Sequence, residues 1–186
     1  MEKGSLRILF IGNSHTYYND MPAMVKAFLK DKNCDCHVTM LAQPGWFLAQ
    51  HVEAPDTSFN IRFGGYDYVV LQEHAHPFGP VAKYLDAART LIQWIREAGA
   101  VPVIYSTWAK RDEPSAQQAM DEAHRRAADE NGALLAPVGE QWWDYREIHK
   151  DLEMYASDGA HASPEGSRFA ATVIAECIWM DWAGRH

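Results

Sequence analysis

The stretch Leu6-Arg7-Ile8-Leu9-Phe10-Ile11-Gly12-Asn13-Ser14-His15-Thr16, LRILFIGNSHT, decides the fold. Its first six residues are apolar apart from one arginine, the pattern of a strand buried in the middle of a sheet. The strand stops on a glycine. A helical segment follows soon after, with Asp20 placed as its cap and Pro22 in its first turn, so Ser14 lies in the turn that leaves a strand. Open α/β sheets keep their chemistry in such turns.

Outward from this unit, short apolar runs alternate with longer segments of helical period. A helix is predicted over Met21 to Lys30, with Met24, Val25, Phe28 and Leu29 on one face, followed by a strand near His37 to Leu41. Gln43-Pro44-Gly45-Trp46 breaks that strand. The third strand, Tyr68 to Leu71, is announced by Gly64-Gly65, and a helix from Val81 to Ala98 ends at Gly99. Then come a strand from Val101 to Ser106, a helix from Ser115 to Glu130, a short strand over Ala133 to Ala136, a helical or irregular segment from Val138 to Lys150, and a last helix from Pro164 to Trp182. Strands separated by helices imply a three-layer α/β/α sandwich with a five-stranded parallel sheet, in the flavodoxin-like order 2-1-3-4-5. With 186 residues and no linker or repeat, residues 1–186 are expected to form one domain.

The bulk composition narrows the possible partners. Hydrophobic residues make up 47% of the chain, enough for a core, and the net charge of −8 comes with scattered rather than clustered basic residues. Nucleic acid is therefore not an expected partner. The one strongly apolar run near the N-terminus is far shorter than the ~20 residues of a membrane span. No membrane partner and a cytoplasmic location are expected; oligomeric state is left open. Cys34, Cys36 and Cys177 are an odd number without a CxxC, which suits reduced thiols.

Four polar or glycine-bearing loops would meet at one end of such a sheet: Gly12 to His15, Gln43 to Trp46, Gln72 to His76, and Ser157 to His161 ahead of the final helix. A serine needs a base to become a nucleophile, and the base needs an acceptor on its other nitrogen. Ser14, His161 and Asp158 supply these parts, and the Asp-x-x-His spacing lets one loop carry both base and carboxylate. The flanking Asn13, Trp46 and Trp108 are candidate substrate contacts. Phe47 and Phe78 are further aromatics that could wall an acyl pocket.

The same residues resemble the SGNH (GDSL-like) hydrolases. FIGNSHT is similar to the first block of that superfamily, QPGW to its glycine-bearing second block, and SDGAHASPEGSRFAA to its last block with Asp-x-x-His. ILFIGNS and TYYND, together with YVVLQE, most resemble a bacterial branch related to carbohydrate esterases. The resemblance implies Ser14 as nucleophile, His161 as base, Asp158 as its partner, and the backbone N–H groups of Ser14 and Gly45 as oxyanion donors. It implies no cofactor, and a small-molecule substrate carrying a short acyl group, acetyl among them, such as an acylated sugar. Two positions depart from the pattern. Asn13 stands where an aspartate is usual, and LQEHA replaces the third block, whose asparagine donates to the oxyanion. Gln72 is the natural replacement for that donor and His74 the second choice.

Two rival readings share these residues. His74 and His76 alternate by two and, with His15, His161 and Asp158, would surround a zinc ion in a metal-dependent hydrolase. A catalytically inactive carbohydrate-binding domain on the same fold would explain the altered third block and the histidine directly after Ser14.

Overall fold

The structure is a computed structural model and describes residues 5–185. Its sheet has five parallel strands: β1 (Leu6–Gly12), β2 (Cys36–Ala42), β3 (Tyr68–Gln72), β4 (Val101–Tyr105) and β5 (Leu134–Ala136), in the order β2-β1-β3-β4-β5. Side chains alternate across a strand, so β1 feeds two cores. Ile8 and Phe10 pack with Tyr68, Val70, Val103 and Tyr105 on one face, while Leu9 and Ile11 pack with Val69, Leu71 and Ile104 on the other. The register pairs Ile8 with Val38 on one side and Tyr68 on the other. A slip of one residue would exchange both faces, which is why a doubly buried strand fixes its register so firmly.

The first face is covered by α2 (Met21–Asp31), α7 (Val138–Ile148) and α8 (Pro164–Gly184), and the second by α3 (Leu48–Glu53), α4 (Pro55–Phe63), α5 (Val81–Glu97) and α6 (Gln117–Asp129). The sequence leaves α3 and α4 unassigned. They bury only Leu48, His51, Thr57 and Ile61 between them, two of which are polar, so no apolar stripe announces them. A further single turn, α1 (Ser14–Tyr17), begins directly at Ser14. Asp20 sits at the start of α2 but makes no side-chain cap; its φ of 55° is left-handed, and Pro22 alone marks the helix start as expected. Among the described residues no helix is long and apolar enough to cross a membrane.

The chain leaves β1 toward β2 on one face and leaves β2 toward β3 on the other. The carboxyl ends of β1 and β3 therefore flank the switch point where an open sheet forms its crevice. Gly12 ends β1 there for a steric reason. A Cβ at this position would lie 2.4 Å from Thr16 Oγ1 and 2.5 Å from Gln72 Oε1, so only glycine lets the strand end meet the neighbouring side chains.

Candidate active site

Ser14 takes the first position of α1, where helical amides lack intrahelical partners. Ser14 is half-buried, and its Oγ lies 2.7 Å from His161 Nε2. On the far side of that ring, His161 Nδ1 is 2.6 Å from Asp158 Oδ2. The other carboxylate oxygen, Oδ1, accepts from the backbone N–H groups of Ala160 at 2.9 Å and His161 at 3.0 Å. Burial works to raise the Asp158 carboxyl. The bonds from the His161 side chain and the two amides outweigh it and hold the group at about 2.

The loop bearing these two residues is fastened at several points. Gly159, with φ +68, makes its turn; its N–H donates to Ala156 O and its carbonyl accepts from Arg111 N. Ala156 N donates to His161 O at 2.8 Å, and Ser163 caps α8 by accepting from Gly166 N. The structure thus brings Ser14, His161 and Asp158 into one hydrogen-bonded line.

Asn13 and Gln72 occupy different places from those expected of them. Asn13 is only 1% exposed: its Oδ1 accepts from His15 N, and its Nδ2 donates to Trp46 O at 2.9 Å. It ties the β1 exit to the loop carrying Gly45 and offers nothing to a substrate. Gln72 is fully buried, with Oε1 accepting from Asn13 N at 2.9 Å and Thr16 Oγ1 at 2.8 Å, while Nε2 donates to the Glu73 carbonyl. Because the Asn13 N–H can only donate, this orientation of the amide is fixed, and its donor atom is taken up by the Glu73 carbonyl. Gln72 is a brace, not an oxyanion donor. His74 fails as the substitute for a similar reason. Its Nδ1 lies 2.9 Å from the Pro77 carbonyl, which can only accept, so that nitrogen already donates within its own loop. Gly45, exposed and at φ +70, remains on the loop that Asn13 secures.

Gln72→Ala should therefore act on stability first. Two buried donors would lose their acceptor at about 1–3 kcal/mol each, so urea denaturation should show a loss of about 2–6 kcal/mol. Unchanged stability with a large fall in kcat would restore the donor role.

Of the aromatic candidates, Trp46 is half-exposed and meets His51 edge-on at 5.0 Å. Trp108 is fully buried: its ring stacks on Trp142 at 3.9 Å and its Nε1 donates to Ala160 O at 2.9 Å. It supports the loop of Asp158 and His161 instead of lining the crevice. Phe78 packs edge-on against Tyr84 and His124, and Phe47 helps wall a cavity of about 290 Å³ with Pro80, Tyr84 and Glu73. The imidazoles expected around a zinc ion lie near one another, but among the described residues no group of three or more His, Cys, Asp or Glu side chains is arranged to hold a metal ion. His15 and His76 instead put ring centroids 5.2 Å apart, and each has a buried Nε2 without a hydrogen-bond partner. Burial keeps both rings neutral, His15 well below the usual range and His76 down at about 4.

Two further supports hold the site: His51, which the sequence does not single out, and Glu73, which sequence reading would pair with a neighbouring base and which instead accepts from backbone amides. His51 Nε2 donates to the Gly12 carbonyl at 2.8 Å, pinning the end of β1. Glu73, 1% exposed, accepts from Leu48 N at 3.2 Å and His74 N at 2.8 Å, joining the exits of β2 and β3. Burial pushes its carboxyl up to about 7 against the pull of those two amides. A carboxyl raised on folding lends stability that is complete below its unfolded value near 4.5 and is lost as pH rises through about 7. Relative to Glu73→Gln, the wild type should lose on the order of 2–3 kcal/mol between pH 4.5 and 8. Parallel urea curves of the two proteins over that range check it; identical pH slopes would contradict it.

No family model matches the chain, and no curated protein matches it. Among solved structures it is similar to a protein described as an SGNH hydrolase from Slackia heliotrinireducens, with 35% identity, coverage of 94% of this chain and 100% of that one, and a TM-score of 0.80. A carbohydrate esterase of family 3 from Talaromyces cellulolyticus is 11% identical over 94% of this chain and 97% of its own, at TM-score 0.76. A catalytic mutant of the acetylxylan esterase Axe2 from Geobacillus stearothermophilus is 15% identical over 97% and 96%, at TM-score 0.69. The last two share the fold alone.

Proposed function

This chain belongs to the SGNH hydrolases, and we propose that within that family it is a serine esterase whose catalytic triad is Ser14, His161 and Asp158. The observation that carries this reading is the hydrogen-bonded line from Ser14 Oγ through both nitrogens of His161 to Asp158. Ser14 Oγ attacks the ester carbonyl carbon as His161 Nε2 takes its proton. Asp158 accepts from Nδ1, which holds the ring in the tautomer with a free Nε2 and stabilises the imidazolium. The carbonyl electron pair moves to oxygen, where the N–H groups of Ser14 and Gly45 receive the oxyanion. His161 then protonates the departing alcohol, and water, deprotonated by the same ring, releases the acid.

The substrate is a short-chain acyl ester, acetyl esters of sugars included. The kinship in fold with a carbohydrate esterase and an acetylxylan esterase favours it, and so does the half-exposed indole of Trp46 beside the Gly45 loop. An inactive carbohydrate-binding domain has less support, because such a domain has no need of so closely fastened a base. The test is hydrolysis of a panel of acylated sugars and a chromogenic acetyl ester, with mass spectrometry of the fluorophosphonate adduct. Turnover and an adduct on Ser14 are the expected results; binding of sugars without either would establish the binding domain.

A further inference from the structure

Two aromatic rings pack against His161. Tyr18 is stacked on it, with centroids 4.1 Å apart and an angle of 23° between planes, and the tilted ring of His15 lies at 4.8 Å and 31°. The fold places Tyr18 there by a specific strap. Its N–H donates to the Ser14 carbonyl, so the ring is tied to the turn that carries the nucleophile. The chain then bends sharply through Asn19 and Asp20, both with φ of 55°, a conformation that asparagine and aspartate tolerate better than other side chains. Asn19 Nδ2 donates to Ala162 O at 3.1 Å and to Ser167 Oγ at 2.9 Å, and Ser167 Oγ in turn reaches the Tyr18 carbonyl. The segment is thus fixed to the residue directly after His161 and to α8. Tyr18 is also 37% exposed, so core packing does not account for its position.

We propose that Tyr18 is a positioning residue for the base: its ring holds the His161 imidazole in plane with Ser14 and, together with His15, presents a π face to the imidazolium formed in the reaction. The inference rests on the triad reading above. As the Oγ–H bond of Ser14 breaks, its proton passes to Nε2 and its electron pair forms the bond to the carbonyl carbon. The positive charge then on His161 is attracted by an aromatic face within about 6 Å. That attraction is absent while the ring is neutral, so it acts on the transition state and not on substrate binding. The groups facing His161 are Asp158 on its own loop, His15 from α1 and His76 from the β3 exit. Burial keeps the two histidines uncharged, so neither repels the imidazolium. The tyrosine hydroxyl plays no part.

The experiment compares wild type, Tyr18→Phe and Tyr18→Leu on one acetyl ester across pH, with melting temperatures and fluorophosphonate labelling of each. The phenylalanine variant should stay within about twofold of the wild type. The leucine variant should lose about 3- to 30-fold in kcat with KM little changed, and the acid limb of its kcat/KM profile should move to lower pH, because the protonated ring has lost its support. A leucine variant with normal kcat and an unmoved acid limb overturns the proposal while leaving the triad intact. A fall in kcat with the limb unmoved makes Tyr18 a packing residue and also overturns it. So does a change confined to KM, which would place Tyr18 on the substrate. A wild type that neither turns over esters nor takes the label at Ser14 removes the triad, and the proposal with it.

Discussion

Ser14→Ala is expected to lower kcat for ester hydrolysis by about 10⁴-fold or more with folding unchanged. The substitution removes one half-buried oxygen that is hydrogen-bonded to His161. The brace of Asn13, Thr16 and Gln72 and the capping of α1 by Asn13 survive it, since neither uses the serine side chain. The residual rate would come from the oxyanion donors and substrate binding, which keep working without the nucleophile. Steady-state kinetics with matched urea curves checks both halves of the expectation. Activity near that of the wild type would move the nucleophile elsewhere.

Asp158→Asn is expected to cost about 10³- to 10⁴-fold in kcat, through a proton in the wrong place instead of a missing group. The retained Oδ1 continues to accept from the amides of Ala160 and His161, so the loop keeps its shape. The new NH₂ faces His161 Nδ1 and can only donate. His161 must then accept at Nδ1 and carry its proton on Nε2, which offers Ser14 a donor where a base is needed. A kinetic comparison of Asp158→Asn with Asp158→Ala tests this: the asparagine variant should be no better than alanine despite its better geometry. Asparagine close to wild type would mean that the carboxylate merely braces the loop.

Much of this arrangement can be read from sequence because its signals are local. Leu6 to Ile11, apolar but for Arg7, and Tyr68 to Leu71 are compact apolar runs, which in an alternating α/β chain have few alternatives to the central strands. Asp158 and His161 are three residues apart around a glycine, so their pairing needs no knowledge of the rest of the chain. The misplaced residues depend on contacts distant in sequence. Gln72 has the right chemistry at the right strand end, but Asn13 and Thr16, more than fifty residues away, determine which way its amide faces. Trp108 stands at the exit of β4 and would line the crevice if Trp142 did not stack on it. Tyr18 did carry a signal: the Asn19-Asp20 pair after it favours the left-handed bend that turns its ring onto His161.

The stacking of Trp108 on Trp142, nearly parallel at 8°, has a spectroscopic consequence. Two indoles this close couple their electronic transitions and give circular dichroism an exciton couplet that separated tryptophans do not show. Trp108 Nε1 also holds the Ala160 carbonyl, so the same pair reports on the loop that carries Asp158 and His161. The molecule contains an optical gauge of whether the loop of Asp158 and His161 is seated, one that needs neither a label nor a substrate.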